Sequence, residues 1–452
     1  MAKATTARRE VPTLIVGLGE TGLSAARFFD RAGEPFEVVD DREQPPAIEA
    51  FREHWPNVAV RLGRFGRKQF TRARRIVVSP GVSLREPALA EAIAAGTECI
   101  GDIELFARVA DAPVIAITGS NGKSTVTALT GALLNAAGRT ALTGGNLGPP
   151  ALDLLAHESG VDPDFYVLEL SSFQLESTWS LQPLAAVVLN VSADHMDRYR
   201  NVAEYAAAKG RIYRSARTAV VNRDDPGAAR LAGPVNRRIG FTLGTPDEAD
   251  FGVVHHDGED WLAEGATPLL PVRELPLAGA HNVANALAAL ALVRAAGIEP
   301  ADAVDGLRTF EGLAHRMQHV AHIGGVDWYD DSKGTNVGAT VAAIDGLGRP
   351  LVLIAGGTGK GADFAALRDS VMRWARAVVL IGEDASRIAE ALEGAAPVED
   401  AGDLDTAVAR AAELAEPGDA VLLSPACASF DQFRDYHARG EAFVAAVRRR
   451  QS

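Results

Sequence analysis

The sequence predicts an α/β protein of three consecutive domains, each with a mostly parallel sheet flanked by helices. Three observations predict this fold class. Short apolar runs alternate with helical stretches along most of the chain. Gly-rich turns follow several of these runs, as they do in parallel βα units. At 452 residues the chain is also too long for one hydrophobic core. We place the domains at residues 1–104, 105–312 and 313–452.

The first domain reads as a βαβ arrangement. Its predicted elements are strand 13–16, a Gly-rich turn at 17–22, helix 23–32, and strands 36–39 and 75–78.

The second and third domains repeat the alternation of strand and helix. Predicted strands of the second domain are 114–117, 165–170, 185–189 and 218–221, with helices from 123 to about 137 and over 282–296. Residues 241–276 favour short strands in a small sheet at the edge of this domain. Predicted strands of the third domain are 326–329, 351–354, 377–381 and 420–423.

The composition excludes several classes of function. A net charge of −14, from 45 basic and 59 acidic residues, disfavours nucleic acid and anionic lipid as partners. The longest nearly uninterrupted apolar run, 283–293, is shorter than the roughly 18 residues of a membrane span. Two cysteines, Cys99 and Cys427, give neither a disulfide framework nor a metal-binding spacing. We expect a cytoplasmic, monomeric enzyme.

Lysine is rare in this sequence, because arginine supplies nearly all the basic residues. The six lysines are Lys3, Lys68, Lys123, Lys209, Lys333 and Lys360. A lysine kept under such a bias is a candidate for chemistry that a guanidinium cannot perform.

The turn 17–22 matches the pattern GxGxxG after a strand, with Asp40 about 20 residues farther on. Glycines at these positions admit a pyrophosphate to the N-terminus of a helix. The pattern does not distinguish NAD from another nucleotide diphosphate, and a tight turn without a ligand is the structural alternative.

Residues 118–125, Thr-Gly-Ser-Asn-Gly-Lys-Ser-Thr, form a sharper motif between a strand and a helix. Backbone N–H groups of such a loop hold phosphates, Lys123 neutralises them, and the hydroxyl of Ser124 or Thr125 reaches Mg²⁺. The loop is shorter than a standard P-loop, because only two residues separate Gly119 from Gly122.

Polar residues follow other predicted strands of the second domain. Glu169 ends one strand and is a candidate Mg²⁺ ligand at the edge where the phosphate loop lies. His195, flanked by Asp194 and Asp197, follows the next strand and is a second candidate ligand. Lys209, by its spacing alone, would be an ordinary solvated helical lysine.

Three polar loops of the third domain follow parallel strands, at 330–336, 356–360 and 424–433. The carboxyl ends of neighbouring parallel strands meet at one edge, so these loops predict one ligand-binding crevice.

The motifs at 118–125, 168–175, 194–199, 331–336 and 424–429 together resemble the Mur ligases, a superfamily that also contains the folylpolyglutamate synthetases. The resemblance runs in order from Gly17 to about Phe443. It implies a Rossmann-like N-terminal domain that binds UDP, a central ATPase domain of the P-loop type, and a Rossmann-like C-terminal domain that binds an amino acid.

The resemblance further implies an ATP-dependent amide ligase that adds D-glutamate to UDP-N-acetylmuramoyl-L-alanine in the cytoplasmic synthesis of peptidoglycan. ATP phosphorylates the alanyl carboxylate, and the amine of D-glutamate displaces phosphate from the acyl phosphate. Since the acid and the γ-phosphate repel each other, cations must neutralise both. The implied cofactors are ATP, two Mg²⁺ ions and a carbamate on Lys209, because a carbamate ligates Mg²⁺ and an ammonium does not.

The resemblance also assigns roles to individual residues. Catalytic roles fall on Lys123, His195 and Lys209, and metal ligation on Ser124, Glu169, His195 and carbamylated Lys209. ATP contacts fall on Gly119, Asn121, Gly122, Lys123, Ser124, Thr125, Asn282, Asn285, Arg316 and Asp331. Contacts to the nucleotide-linked acid fall on Glu20, Thr21, Asp40, Asp41, Arg42, Ser79, Gly81, Asn146 and Gln174. Contacts to D-glutamate fall on Lys333, Thr335, Lys360, Ser429 and Tyr436.

Three alternatives stay open at this point. A ligase of the same superfamily could add another amino acid, such as L-glutamate. An NAD-dependent oxidoreductase would use the turn 17–22 but leaves the loops of Lys123, Lys333 and Lys360 unexplained. A non-catalytic nucleotide-binding regulator is disfavoured by the intact set of Lys123, Glu169, His195 and Lys209.

Overall fold

A computed structural model describes residues 11–146, 148–156, 162–277 and 279–451. These residues form three sheets of five, nine and six strands, which follow one another along the chain. The predicted three-part α/β architecture is therefore present.

The N-terminal sheet is parallel throughout, in the order β3-β2-β1-β4-β5. Its strands are β1 Val11–Val16, β2 Phe36–Asp40, β3 Val60–Leu62, β4 Ala73–Val78 and β5 Glu98–Ile100. The helices of this part are α1 Glu20–Arg31, α2 Ile48–His54, α3 Arg67–Phe70, α4 Pro87–Ala94 and α5 Asp102–Val109. Strand β1 lies at the centre, so the turn after it opens at the carboxyl edge beside the loops after β2 and β4.

The central sheet has the order β14-β13-β12-β11-β10-β9-β6-β8-β7. Its strands are β6 Val114–Thr118, β7 Ala141–Gly145, β8 Phe165–Glu169, β9 Ala185–Val188, β10 Thr218–Asn222, β11 Arg237–Phe241, β12 Phe251–His256, β13 Glu259–Glu264 and β14 Thr267–Pro271. Only β12, β13 and β14 pair antiparallel, at one edge. The short strands predicted for 241–276 are thus present, and they extend the main sheet.

The helices around the central sheet are α6 Lys123–Ala136, α7 Ala151–Leu154, α8 Ser172–Glu176, α9 Val202–Gly210, α10 Pro226–Arg230, α11 Ala280–Ala295, α12 Pro300–Ala303 and α13 Asp305–Arg308. Most of helix α11 is buried on all sides. Helix α11 packs on α6 and the sheet, and residues 286–293 are all buried. This burial explains the longest apolar run. None of the helices in the described ranges is long and apolar enough to cross a membrane.

The C-terminal sheet has the order β15-β16-β20-β17-β18-β19, antiparallel only between β15 and β16. Its strands are β15 Gln318–Ile323, β16 Val326–Asp330, β17 Leu351–Gly356, β18 Ala375–Ile381, β19 Val398–Gly402 and β20 Ala420–Leu423. Its helices are α14 Val337–Leu347, α15 Arg368–Trp374, α16 Ala385–Ala391, α17 Leu404–Leu414 and α18 Tyr436–Arg448. The three polar loops follow β16, β17 and β20, which are neighbours, so the predicted single crevice forms.

Candidate active site

The phosphate loop joins β6 to α6 and needs glycine at two points. Gly119 and Gly122 have φ angles of 158° and 81°, which side chains rarely adopt. A Cβ on Gly122 would lie 2.6 Å from Asn285 Oδ1. Lys123 is turned back into the loop, where its Nζ donates to the carbonyl oxygens of Gly119 and Ser120, both at 2.9 Å. The loop therefore has the conformation and the half-buried cation that a phosphate site requires.

Ser124 and Glu169 form the candidate metal site on the neighbouring strand end. Ser124 Oγ donates to Glu169 Oε2 at 2.5 Å, and Asn146 Nδ2 donates to Glu169 Oε1 at 2.6 Å. Burial raises the pKa of Glu169, but Lys123 and these hydrogen bonds outweigh it, so the pKa is lowered overall. A buried carboxylate kept ionised beside a hydroxyl is a donor set suited to Mg²⁺.

Lys209 is fully buried rather than solvated, contrary to what its spacing alone suggests. Its Nζ donates to Gly119 O at 2.8 Å and lies 4.5 Å from the centre of the Tyr205 ring. Burial, together with the nearby charge of Lys123, lowers the pKa of Lys209 well below its ordinary value. The amine thus lies behind the phosphate loop in a state that favours the neutral, nucleophilic form.

His195 occupies a strained turn next to the phosphate loop. Its φ is 56°, and its ring packs against Phe173 with the ring centres 4.8 Å apart. Burial lowers the pKa of His195 although Asp194 raises it, and the lysines nearby add to the lowering. A neutral imidazole is the form that ligates a metal. The Nε2 atom lies 3.7 Å from Asp194 Oδ2.

The C-terminal domain approaches this centre through Arg316, whose guanidinium donates to Ser124 Oγ. Asp331, at the end of β16, accepts from Ser424 Oγ at 2.7 Å. Burial raises the pKa of Asp331 to about 7, despite the hydrogen bond from Ser424 and the charge of Arg316. Lys333 lies on the same loop, 3.9 Å above the Tyr436 ring. Burial, then the charge of Arg316, lowers the pKa of Lys333 to about 8.

Most of the predicted ATP and D-glutamate residues line one cavity of about 670 Å³. Among them are Asn121, Gly122, Lys123, Ser124, Thr125, Asn282, Asn285, Arg316, Asp331, Lys333, Thr335, Lys360, Ser429 and Tyr436, together with Glu169, His195 and Lys209. Gly119, also in the loop, does not line the cavity; its carbonyl oxygen accepts from Lys123 and Lys209. Lys360 has a φ of 50° and its Nζ lies 5.6 Å from the exposed ring of Phe430.

A second cavity, of about 680 Å³, lies at the carboxyl edge of the N-terminal sheet. It is lined by the predicted residues Glu20, Thr21, Asp40, Asp41, Arg42, Ser79, Gly81, Asn146 and Gln174. Asp40 Oδ2 accepts from the backbone N of Leu18 at 2.6 Å, and its Oδ1 accepts from Arg42 Nε at 2.8 Å. Asn146 lines both cavities, so the two are neighbours.

Gln174 has a structural role that its sequence context did not indicate. It is buried, and its Nε2 donates to Asp102 Oδ2 at 3.0 Å. Burial raises the pKa of Asp102 to about 6, against the hydrogen bond from Gln174. Gln174 therefore links helix α8 to helix α5, besides lining the N-terminal cavity.

Sequence reasoning assigned no role to Asn190, Asp194 or Asn336, although all three lie at the centre of the site. Asn190 Oδ1 accepts from the backbone N of Asn121 at 2.8 Å. Asn336 Nδ2 donates to Asn121 Oδ1 at 3.1 Å and to Asp194 Oδ2 at 3.3 Å. Asn190 follows β9 directly, and a polar residue after a strand beside the phosphate loop was the signal available.

Comparisons with known proteins agree with this geometry. Family models match three segments: the MurD-like N-terminal domain of Mur ligases at residues 12–101, the Mur ligase middle domain at 117–293, and the Mur ligase glutamate ligase domain at 315–427. A UDP-N-acetylmuramoylalanine–D-glutamate ligase of Nitrosococcus oceani is 53% identical over 439 residues, 96% of each chain. The chain belongs to the MurD branch of the Mur ligase family.

One further relative and two solved structures are also similar to this Mur ligase. The enzyme of the same name from Pseudomonas aeruginosa is 54% identical over 96% of this chain and 97% of its own. The crystal structure of Thermotoga maritima UDP-N-acetylmuramate–alanine ligase MurC covers 97% of this chain and 100% of its own, with 18% identity and a TM-score of 0.62. MurF ligase of the same organism, in complex with ADP, covers 98% and 96% with 16% identity and a TM-score of 0.60. These structures share the fold.

The predicted family, the fold class and the carbon–nitrogen ligase class are thereby confirmed. An NAD-dependent oxidoreductase built on the turn 17–22 is wrong for a member of this family. The roles given to individual residues, and the domain boundaries at 104 and 312, stay predictions.

Proposed function

We propose that this Mur ligase joins D-glutamate to the alanyl carboxylate of UDP-N-acetylmuramoyl-L-alanine and splits ATP into ADP and phosphate, in the cytoplasmic synthesis of peptidoglycan. One observation carries the proposal. A single cavity holds both the phosphate loop of Lys123 and the two C-terminal lysines, Lys333 and Lys360. A ligase that activates one acid and binds a second, amine-bearing acid needs these two cationic centres face to face.

The nucleotide-linked acid would lie across the two cavities. Its UDP moiety suits the N-terminal cavity, where the turn after β1 leaves room for a diphosphate and the buried Asp40 organises Leu18 and Arg42. Its acyl end would pass Asn146, which lines both cavities, and reach the phosphate loop. This path supports a substrate with a nucleotide at one end and a carboxylate at the other.

ATP would be held by the phosphate loop and by residues of α11. The loop amides and Lys123 would take the phosphates, while Asn282 and Asn285 lie on α11 where an adenine can reach them. Arg316, which contacts Ser124 Oγ, is placed to stabilise charge on the transferred phosphoryl group. The carboxylate oxygen then attacks the γ-phosphorus, the bond to ADP breaks, and an acyl phosphate forms.

D-glutamate would bind on the C-terminal side of the cavity. Lys333, Lys360 and the buried Ser429 offer donors for its two carboxylates, and Thr335 lies on the same loop as Lys333. The amine, after losing its proton, attacks the acyl carbon, and phosphate leaves as the amide forms. The pocket residues line the same cavity as the phosphate loop, so a bound D-glutamate would bring its amine close to that carbon.

The residues around the phosphate loop fit divalent magnesium. Ser124, Glu169 and His195, with Lys209 as a carbamate, would hold it, and Mg²⁺ would there neutralise the oxygens of ATP and of the substrate acid. The fit is supported by the buried Ser124–Glu169 pair, in which a hydroxyl and a carboxylate meet at 2.5 Å. The carbamate would form when the Lys209 amine attacks carbon dioxide and loses a proton.

The environment of Lys209 supports that modification. The amine is buried, and burial together with the charge of Lys123 lowers the pKa of Lys209 well below its ordinary value, which favours the uncharged, nucleophilic amine. The carbamate is tested by a ¹³C NMR spectrum of the protein equilibrated with ¹³C-bicarbonate. A carbamate resonance in the wild type that is missing in Lys209→Arg is expected, and identical spectra of both would contradict it.

The function is tested by ADP formation with UDP-N-acetylmuramoyl-L-alanine and, in parallel, D-glutamate, L-glutamate, lysine or diaminopimelate. We expect ADP only when the nucleotide substrate and D-glutamate are both present, with one amide formed for each ADP. A rate with L-glutamate equal to or above that with D-glutamate would assign the enzyme to another amino acid. No ADP with any combination would remove the proposal.

A further inference from the structure

The side chain of Asn336 has partners in two domains at once. Its Oδ1 accepts from the backbone N of Ala339 at 2.9 Å, which caps helix α14 in the C-terminal domain. Its Nδ2 donates to Asn121 Oδ1 at 3.1 Å and to Asp194 Oδ2 at 3.3 Å. Both acceptors belong to the central domain.

The two acceptors belong to the two loops on which the chemistry depends. Asn121 lies in the phosphate loop, where its main chain is held on the other side by Asn190, at 2.8 Å and 3.1 Å. Asp194 precedes His195 and accepts the backbone N–H of that residue through Oδ1 at 2.9 Å. One amide group of the C-terminal domain therefore holds both loops together.

The first turn of α14 approaches these loops closely because Gly338 has no side chain. A Cβ there would lie 3.1 Å from Ser192 Oγ and 3.3 Å from Asn121 Nδ2. The contact of Asn336 is thus part of a packed surface between the domains, alongside the bond from Arg316 to Ser124.

An amide is the group that suits this position. Serine and aspartate cap helices as well as asparagine does, but neither offers an N–H₂ to two acceptors. Aspartate would also place a second carboxylate against Asp194. The capping role and the cross-domain role of Asn336 can therefore be separated by substitution.

We propose that Asn336 is a positioning residue, which couples the docking of the C-terminal domain to the geometry of the phosphate loop and of the Asp194–His195 turn. The inference rests on the proposed ligase function. The C-terminal domain, which would bind the amine substrate, holds the two loops in their geometry for phosphate transfer only when it is docked on the central domain. Phosphate transfer is therefore favoured when the C-terminal domain is docked.

The test compares Asn336→Ser and Asn336→Asp with Asn336→Ala. We expect the melting temperatures of the first two to stay near that of the wild type, since the cap is kept. We expect kcat/KM for ATP to fall roughly ten-fold in Asn336→Ser, as two hydrogen bonds are lost, and further in Asn336→Asp. The KM for the nucleotide-linked acid should be unchanged, because its UDP end binds in the other cavity. Asn336→Ala should lose both stability and rate.

A matched control is Asp403→Ser on α17 of the same domain, where the Asp403 Oδ1 atom accepts from Thr406 N at 2.9 Å. This cap lies away from the cavity, so the variant should keep the wild-type rate. A double-mutant cycle of Asn336→Ser with Asn121→Ala should be non-additive in kcat/KM for ATP.

A second measurement does not need turnover. One fluorophore on the central domain and one on the C-terminal domain report the distance between the two domains when an ATP analogue and magnesium are added. We expect the change in this distance to be smaller in Asn336→Asp than in the wild type. Wild-type kcat/KM and a wild-type distance change in Asn336→Ser and Asn336→Asp would overturn the inference. If the wild type ligates nothing, the proposed function fails, while the distance measurement still decides the role of Asn336.

Discussion

Ser124 Oγ donates a hydrogen bond of 2.5 Å to Glu169 Oε2, 45 residues farther along the chain. The two side chains meet because β6 and β8 are parallel neighbours whose carboxyl ends share one edge of the sheet. Arg316 reaches the same hydroxyl from the C-terminal domain. The candidate centre of phosphate transfer therefore lies where the ends of two strands of the central domain meet the start of the C-terminal domain.

Gly122→Ala should strongly weaken ATP binding. The residue has a φ of 81°, and an added Cβ would lie 2.6 Å from Asn285 Oδ1, so the loop would be strained and the Asn285 side chain would have to move. We expect at least a hundred-fold loss of ATP affinity, about 2.7 kcal/mol, by titration calorimetry. Gly138→Ala, at the other end of α6, is the control. It has a φ of 73° and open space around its Cβ, so it should cost only about 1 kcal/mol of stability and leave ATP affinity unchanged.

Lys209→Arg should lose most of the ligase activity. A guanidinium cannot become a carbamate, and it would have to replace the amine at a buried position beside Gly119 and Tyr205. We expect kcat to fall more than about 100-fold, since a metal ligand would be lost, and bicarbonate to have no effect on the variant. Lys68→Arg, on the exposed surface of α3, should behave as the wild type. Full activity of Lys209→Arg at high bicarbonate would refute the role of the carbamate.

Lys360→Met should weaken the binding of D-glutamate and leave that of the nucleotide-linked acid unchanged. Lys360 lines the cavity and its Nζ atom lies 5.6 Å from the centre of the Phe430 ring, so its ammonium is placed to meet a substrate carboxylate. Loss of one charge-assisted hydrogen bond, roughly 2 kcal/mol, should raise the KM for D-glutamate about thirty-fold in steady-state assays. An equal rise in the KM of both substrates would mean that the variant disturbs the whole domain instead.

The pair of His315 and Asp330 should make stability depend on pH. His315 Nδ1 lies 2.7 Å from the buried Asp330 Oδ2, and this hydrogen bond raises the pKa of His315 above its ordinary 6.5, against the effect of burial. The pKa of His315 is higher in the folded than in the unfolded state. The stabilisation that the pair gives to the folded state is therefore complete below pH 6.5 and is lost as pH rises through the folded-state pKa.

We therefore expect the difference in unfolding free energy between wild type and His315→Asn to shrink as pH rises from 6 to 9, in denaturant titrations. A difference that grows with pH would contradict the assigned sign.

Much of the fold was predictable from local patterns. The strands 114–117 and 351–354 are continuous apolar runs bounded by Gly-rich turns, and such runs indicate buried parallel strands. Strand β7 was not predicted, because Ala141–Gly145 contains two glycines and little apolar character. Its place in the sheet is set by pairing with β8, a contact that no local pattern encodes.

The candidate site was predictable where residues follow strands, as Glu169 and Asp331 do. The contacts between domains were not predictable. Asn336 lies 215 residues from Asn121, and only the docking of the two domains brings them together. The burial of Lys209 was also hidden, since its helix α9 has alanines around the lysine and its buried face is set by the packing of Tyr205 and the phosphate loop.

The measurement that tests the central claim most directly follows oxygen from the substrate acid. UDP-N-acetylmuramoyl-L-alanine labelled with ¹⁸O in the alanyl carboxylate is incubated with ATP, magnesium, D-glutamate and the enzyme, and the phosphate is analysed by mass spectrometry. An acyl phosphate requires that one ¹⁸O passes from each activated carboxylate into the phosphate that is released. Phosphate with one ¹⁸O per molecule, in amounts equal to the amide formed, is the expected result. Unlabelled phosphate alongside amide formation would contradict the account.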